Sequence, residues 1–334
     1  MFRCQSRSTT ALAALLVTGV VVAGCSRGEA QESATSNEAF AEPVTITNCE
    51  RESTFDAPPE RIITMNAHVT ETLIQMGAGD RIVGRGYADR EDVLPEVAEE
   101  LEAIPGLAEE YPSWEQIVDL EPDLVVAGMR SAFDEKEGRS RDALDAAGID
   151  TFLFSEYCGD GFPDVSMLET DFSQLGRVLG VEEGAQQLTD RIVDRIESVR
   201  ATLDEAGVTG TPTFFYDSGE AEPMTIGGVG IGQLIGEYAG ADNIFIEGDR
   251  PYLKTTWEIL GERRPEAIVV LDYGATSAED KIEYLRNQPI MATTPAIRDD
   301  RIVVVPLADF FESSRMATSV ETIARELHPD AFGG

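Results

Sequence analysis

The chain has 334 residues, 62 Asp plus Glu against 26 Lys plus Arg, and a formal net charge of -36 at pH 7. A field of that sign excludes nucleic acid and anionic lipid surfaces as partners. The acids are spread along the whole chain, so they read as solubility and name no substrate.

At the N-terminus Arg3 and Arg7 precede an apolar stretch from Ala11 to Ala23, which closes on Val22-Ala23-Gly24-Cys25. The stretch is too short for a span of ~20 residues and has the layout of an export signal. Val-Ala-Gly-Cys resembles a bacterial lipobox, with small residues for the signal peptidase and a thiol to accept diacylglycerol. Residues 1–24 are therefore expected to be a lipoprotein signal peptide, with lipidation at Cys25. The protein would be held on the outer, extracytoplasmic face of the cell membrane by its lipid alone. Losing Arg3 and Arg7 leaves 24 bases against 62 acids, a net of -38. Residues 25–43, rich in Ala, Glu, Ser, Asn and Gln, read as a flexible tether. What remains is too long for one comfortable core and predicts two domains.

Cys4 leaves with the signal and Cys25 is taken by lipid. Cys49 and Cys158 remain, and in an oxidising exterior such a pair is most simply a disulfide, a buried free pair being the alternative. Two thiolates with no nearby His do not make a metal site.

The body alternates short β-branched runs with helical patterns. Strands are predicted at Arg61 to Met65, Arg81 to Gly84, Asp123 to Ala127 and Thr151 to Phe154, with helices at Thr70 to Met76, Ser113 to Leu120 and Arg139 to Ala147. The second half repeats the style with strands at Thr213 to Tyr216, Asn243 to Ile246, Ala267 to Asp272 and Arg301 to Pro306. The expected fold class is α/β: two similar lobes, each with a central sheet, joined by one long helix. The boundaries are 44–165 for the N-terminal lobe, 166–208 for the interlobe helical segment and 209–334 for the C-terminal lobe. The joining helix is Glu183 to Ala206, apolar at Leu188, Ile192, Ile196, Val199 and Leu203. Its ~24 residues would reach ~36 Å.

The lobes also echo each other. Ser113-Trp114-Glu115, six residues, Pro122-Asp123 recurs at the same spacing as Thr256-Trp257-Glu258, six residues, Pro265-Glu266. A weaker echo pairs Leu73 to Gly79 with Leu234 to Gly240. Both imply lobes related by a pseudo-twofold axis, which puts Glu115 and Glu258 at equivalent helix N-termini. Favourable charge at the helix start is a sufficient reason for each carboxylate there.

These segments, with Pro59 to Thr64, Gly79 to Gly84, Gly240 to Phe245 and Arg301 to Pro306, carry a resemblance over residues 44 to 328. The chain resembles the substrate-binding lipoproteins of ATP-binding-cassette importers for iron-siderophores and cobalamin, the class III substrate-binding proteins. The resemblance implies that Glu115 and Glu258 salt-bridge arginines of a permease. It implies a ligand held between the lobes, at loops on the carboxyl ends of the strands. Those loops offer Asn66, His68, Thr70, Tyr87, Tyr111, Arg130, Phe133 and Tyr157 from the first lobe, and Tyr216, Arg250, Tyr252, Tyr273, Phe310, Phe311 and Arg315 from the second. Aromatics give broad contact at low entropy cost, and arginines pair with chelate oxygens. For the aromatics, loop packing is the competing fate. For His68 a packing or surface position is the more ordinary fate, and His328 reads as structural.

With two histidines in the chain, no three-His site for a bare metal ion is available, so any metal should arrive in its own chelator. The cluster Gly227 to Gly232 lacks the register of a phosphate loop or dinucleotide turn and reads as a tight strand-to-helix turn that lets backbone approach the ligand. The expected function is a monomeric, non-enzymatic receptor without cofactor. It would capture a metal chelate, first of all an iron(III)-siderophore, and deliver it to an ABC permease and its ATPase. Cobalamin, haem and a deazaflavin precursor are the alternatives within the class, the last resembled by Thr45 to Cys49 and Tyr157-Cys158. A surface-anchored hydrolase is the alternative outside it, though no nucleophile with its base is visible.

Overall fold

The computed structural model describes residues 39–88, 93–158 and 164–333. The signal peptide, Cys25 and most of the tether lie outside the described residues. The first elements are two strands that the sequence pattern did not announce, β1 (Val44–Asn48) and β2 (Arg51–Phe55), paired antiparallel. Their turn residues Cys49 and Glu50 have φ of 50° and 63°. Two-residue hairpin turns of that left-handed geometry are ordinarily signalled by Asn-Gly or Asp-Gly, which is absent here.

The N-terminal lobe continues with β3 (Ile62–Thr64), α1 (Ala67–Met76), β4 (Ile82–Arg85), α2 (Ala98–Ala103), α3 (Trp114–Asp119), β5 (Leu124–Ala127), α4 (Arg141–Ala146) and β6 (Asp150–Leu153). Its strands are parallel in the order β4-β3-β5-β6. Two helices follow, α5 (Ser166–Leu179) and α6 (Glu182–Glu205). The C-terminal lobe comprises β7 (Thr211–Tyr216), β8 (Met224–Ile226), α7 (Ile231–Tyr238), β9 (Ala241–Asn243), β10 (Tyr252–Lys254), α8 (Trp257–Arg263), β11 (Ala267–Asp272), α9 (Ala278–Asn287), α10 (Pro295–Arg298), β12 (Ile302–Pro306) and α11 (Met316–Leu327). Its main sheet is parallel in the order β9-β7-β11-β12, and β8 pairs with β10 in a small antiparallel sheet.

Numbered within each lobe, both main sheets run 2-1-3-4. The repeated Trp-Glu segments are α3 and α8, and each links the second strand of its sheet to the third. Ser113 and Thr256 cap them through their hydroxyls, accepting from Gln116 N and Ile259 N. Each helix is followed by a left-handed residue directly before its proline, Glu121 at φ 46° and Arg264 at φ 49°. The weaker echo likewise falls on equivalent helices, α1 and α7, which both lead into the second strand.

Helix α6 starts and ends within one residue of expectation. Leu188, Ile192, Ile196, Val199 and Leu203 are buried, and the helix packs on α5 and α1 of one lobe and on α11 and α7 of the other. One apolar cluster therefore runs through the joining helix into both sheets. Two smaller clusters cover the other sheet faces, around Ile63 and Val125 in one lobe and Phe214 and Val270 in the other.

Two local expectations need correction. The strand expected at Asn243 to Ile246 ends at Asn243, because the Asn243 side chain accepts from Phe245 N at 2.9 Å and turns the chain outward, leaving Ile246 58% exposed. The glycines before α7 do form the expected strand-to-helix turn from β8, but the close backbone approach that they allow is to protein. A Cβ on Gly227 would lie 2.0 Å from the Arg250 carbonyl, and one on Gly228 would lie 1.7 Å from that of Ile246. That close approach lets Gly227 N and Gly228 N donate to Pro251 O and Gly248 O.

Candidate functional site

The carboxyl ends of β3, β4 and β5 face those of β11 and β12 across a cavity of about 410 Å³. One wall is Asn66, His68, Tyr87, Glu110 and Met129, and the other is Tyr273, Gly274, Leu307 and Phe311. Parallel sheets place their loops there, and two sheets of one topology facing each other make a cleft with two such rims.

Each wall is fixed from behind. Asn66 leaves β3 in an extended conformation, and its Oδ1 accepts from Gly128 N at 3.0 Å, which ties the β3 and β5 loops together. His68 opens α1, and its ring stacks on Phe311 at 4.6 Å and 20° between planes. Gly128 makes room for that ring, since a Cβ there would lie 1.9 Å from His68 Nε2. Tyr87 has φ 49°, a left-handed conformation unfavourable for an aromatic residue. It is held by a bond from its N to Glu110 O at 2.7 Å and by edge-on contact with Tyr111 at 5.1 Å.

Opposite, the Tyr273 hydroxyl donates to Asp217 Oδ2 at 2.9 Å, and Lys281 Nζ sits 4.2 Å from its ring centroid. Lys281 is fixed there by the carbonyls of Asp217 and Leu271. Burial and the Asp217 charge push the Tyr273 hydroxyl up to about 12, so it stays a neutral phenol.

Five of the expected ligand residues thus meet in one cavity: Asn66, His68, Tyr87, Tyr273 and Phe311. The others are placed differently. Tyr111 stands behind Tyr87, its hydroxyl 2.8 Å from Ser131 Oγ. Tyr157 and Tyr252 are close enough to interact electrostatically, and burial drives both hydroxyls well above the tyrosine range. Arg130, Phe133 and Tyr157 line a separate depression at the disulfide, where Cys49 and Cys158 are bonded with Cα atoms 4.7 Å apart. Tyr216 is in the core, its hydroxyl on Gly219 O. Phe310 is fully buried against Phe215, and Arg250 is exposed outside the cavity. Thr70 is buried against Thr64, and His328 bonds Gly240 O.

Arg315 is committed elsewhere. It donates to both oxygens of Glu71, at 2.5 and 2.7 Å, and to Asp309 at 3.0 Å, with all three buried. Beside this pair Ser314 N donates to Thr72 Oγ1 at 3.1 Å and Gln75 Nε2 to Ser314 Oγ at 3.0 Å. Helix α1 is thereby clasped to the segment before α11. A second seam lies at Glu156 and Glu312, each accepting from the other's backbone N at 3.0 and 3.1 Å. Asp171 adjoins it, accepting from Ser155 N and Oγ. Burial pushes Glu156 up to about 8 and Asp171 up to about 6. Burial and then the Asp171 charge also raise Glu312.

Glu110, Met129 and Leu307 line the cavity without having been expected there. Met129 and Leu307 lie one or two residues beyond their strands, so counting outward from each strand end would have found them. Glu110 sits in a long loop with no such signal. Glu115 and Glu258 are both exposed at the second position of their helices. Among the described residues no group of three or more His, Cys, Asp or Glu is arranged to hold a metal ion, and no helix is long and apolar enough to cross a membrane.

Comparison with known proteins gives the same outline. The sequence profile described as "Periplasmic binding protein" matches residues 62–307. The chain is 24% identical over 229 residues to the vitamin B12-binding protein of Vibrio campbellii, covering 69% of this chain and 76% of that one. It is 23% identical over 324 residues to an ABC transporter substrate-binding lipoprotein of Bacillus subtilis, covering 96% and 97%. Among solved structures, the ABC-type Fe3+-hydroxamate transport system from Saccharomonospora viridis superimposes with a TM-score of 0.72 at 25% identity, covering 86% of this chain and 99% of that one.

Proposed function

This chain belongs to the periplasmic binding protein family, whose members bind substrates for transport and are not enzymes, and we propose that it captures a metal chelate in the interlobe cleft for delivery to an ABC permease and its ATPase. The hydrolase alternative falls with the family assignment. One observation carries the cargo reading: two parallel sheets present an aromatic-lined cavity of about 410 Å³ between their carboxyl ends. That volume is within the usual ~300–1,000 Å³ of small-molecule sites.

The lining also narrows the cargo. Among the described residues Glu110 is its charged member and no Lys or Arg lines it, in a chain of net charge -36. A highly anionic catecholate complex would be repelled from such a site. The iron(III)-siderophore reading therefore becomes a ferric chelate of low charge, of the hydroxamate kind. A corrinoid is the second reading, favoured by the vitamin B12-binding relative. Lipid anchoring at Cys25 would keep the receptor beside its permease, and the Bacillus subtilis lipoprotein supports it. Glu115 and Glu258, exposed at equivalent places on the two lobes, are the proposed docking pair.

The test is saturable quenching of tyrosine and tryptophan fluorescence in the protein lacking its lipid, with a ferric trihydroxamate, a ferric catecholate, cobalamin and haem. Quenching by the trihydroxamate or cobalamin is expected. Silence from all four would overturn the reading.

A further inference from the structure

A second depression, of about 360 Å³, opens at the edge of the N-terminal sheet around the disulfide. Arg51, Arg130 and Arg141 line it with Glu50 and Asp142. Arg51 is ion-paired with Asp142, which among the described lining residues leaves the other two arginines against a single carboxylate. Arg141 donates to Thr151 Oγ1 at 2.8 Å, to Asn48 Oδ1 at 3.0 Å and to the carbonyls of Asn48 and Thr151, all neutral oxygens. Among the described residues Arg130 makes one hydrogen bond, from Nη2 to the Tyr157 carbonyl at 2.6 Å. Four of its five N–H groups are thus uncommitted among the described residues. Burial and then the neighbouring Arg51 charge push Arg141 down to about 10.

Such a spot is unusual in a chain with 62 acids against 26 bases. It is also rigidly built. The disulfide joins its two backbone walls. Asn48 pairs with Leu153 like an extra strand residue, donating from Nδ2 at 2.8 Å and accepting at Oδ1 at 2.9 Å. Consecutive residues line the two hollows, Met129 the cleft and Arg130 the depression. The Tyr111 hydroxyl lies near both Met129 Sδ and Ser131 Oγ, on either side of Arg130.

We propose that this depression is an oxyanion site, in which Arg130 and Arg141 hold a carboxylate or phosphate arm of the cargo whose body lies in the interlobe cavity. The site rests on the cleft reading for the identity of that cargo. Guanidinium groups suit such an arm because they donate to oxyanions in a forked, charge-assisted geometry. The cargo class is then a metal complex with a nearly neutral body and a single anionic extension.

Calorimetric titration of citrate and of inorganic phosphate into the purified protein, at pH 7 and low salt, tests it. Saturable binding is expected, weakened about tenfold or more in Arg130→Gln and unchanged in Arg298→Gln, an exposed arginine at the end of α10. Arg130 is exposed, so its replacement leaves the fold intact. Absence of binding by both anions, or equal affinity in Arg130→Gln, would overturn the site. With cobalamin bound, whose phosphodiester supplies such an arm, the citrate affinity should fall about tenfold or more, and an unchanged value would overturn its assignment to the cargo's arm. Failure of every chelate in the fluorescence panel overturns the cargo reading, whereas loss of the citrate signal overturns the anion site, so the two failures are distinguishable.

Discussion

Arg315 and Glu71 form a two-pronged ion pair across the lobes, with guanidinium Nε and Nη2 at 2.5 and 2.7 Å from the two carboxylate oxygens. Both side chains are almost wholly buried, 6% and 3% exposed. Breaking a buried pair on one side strands the other charge, and here Asp309 at 3.0 Å keeps part of the compensation for Arg315. Glu71→Gln should therefore destabilise the protein by about 2–3 kcal/mol, below the full cost of an unpaired buried charge, read as a lower denaturant midpoint. A loss below about 1 kcal/mol would assign the pair no more weight than a surface ion pair.

The seam at Glu156 and Glu312 predicts a pH dependence of stability. Both native pKa values are raised, Glu156 to about 8. Unfolded glutamate titrates near ~4.3. The native state thus keeps protons that the unfolded chain has released, so stability is greatest below the unfolded value and declines as pH rises toward about 8. The melting temperature at pH 5 should exceed that at pH 8. General repulsion among the acids acts in the same direction, so the diagnostic is Glu156→Gln, which should flatten the slope and melt higher than the parent at pH 8. An unchanged slope would remove this seam as the cause.

Gly128 is predicted to be irreplaceable because of His68. A Cβ placed 1.9 Å from the imidazole must displace it from its stack on Phe311. Gly128→Ala should cost about 1–3 kcal/mol in the parent. In a His68→Ala background much of that cost should vanish, because the two sites share one volume. Additive losses in the double variant would mean that the glycine is needed for its backbone alone.

The docking pair makes a separable prediction. Glu115→Lys with Glu258→Lys should leave chelate affinity unchanged while cellular uptake falls at least about tenfold, since close charge pairs at an interface are worth more than ~1.4 kcal/mol. Undiminished uptake would exclude these two carboxylates from the docking surface.

Much of the scaffold was legible because its signals are local. The 3.6-residue period of Leu188, Ile192, Ile196, Val199 and Leu203 gave α6 to within a residue. The Trp-Glu repeat marked two helices that prove to be topologically equivalent. Hairpin β1–β2 stayed hidden because Cys49 and Glu50 occupy left-handed positions where glycine or asparagine would have announced a turn. At the site, strand-end position was informative for Asn66, His68, Tyr87, Tyr273 and Phe311. Side-chain type was not. Tyr216 and Phe310 turn into the core and Arg315 finds Glu71, because which way a loop residue points depends on partners far away in sequence.

The cargo's body is placed between His68 and Tyr87 on one wall and Tyr273 and Phe311 on the other. Calorimetric titration of the chelate that quenches best, into the parent and into Phe311→Leu, tests it most directly. The substitution keeps an apolar side chain of similar bulk and removes the ring that His68 stacks upon. The affinity should weaken about tenfold or more while the melting temperature changes little. Equal affinity in the two proteins would place the cargo outside the interlobe cavity.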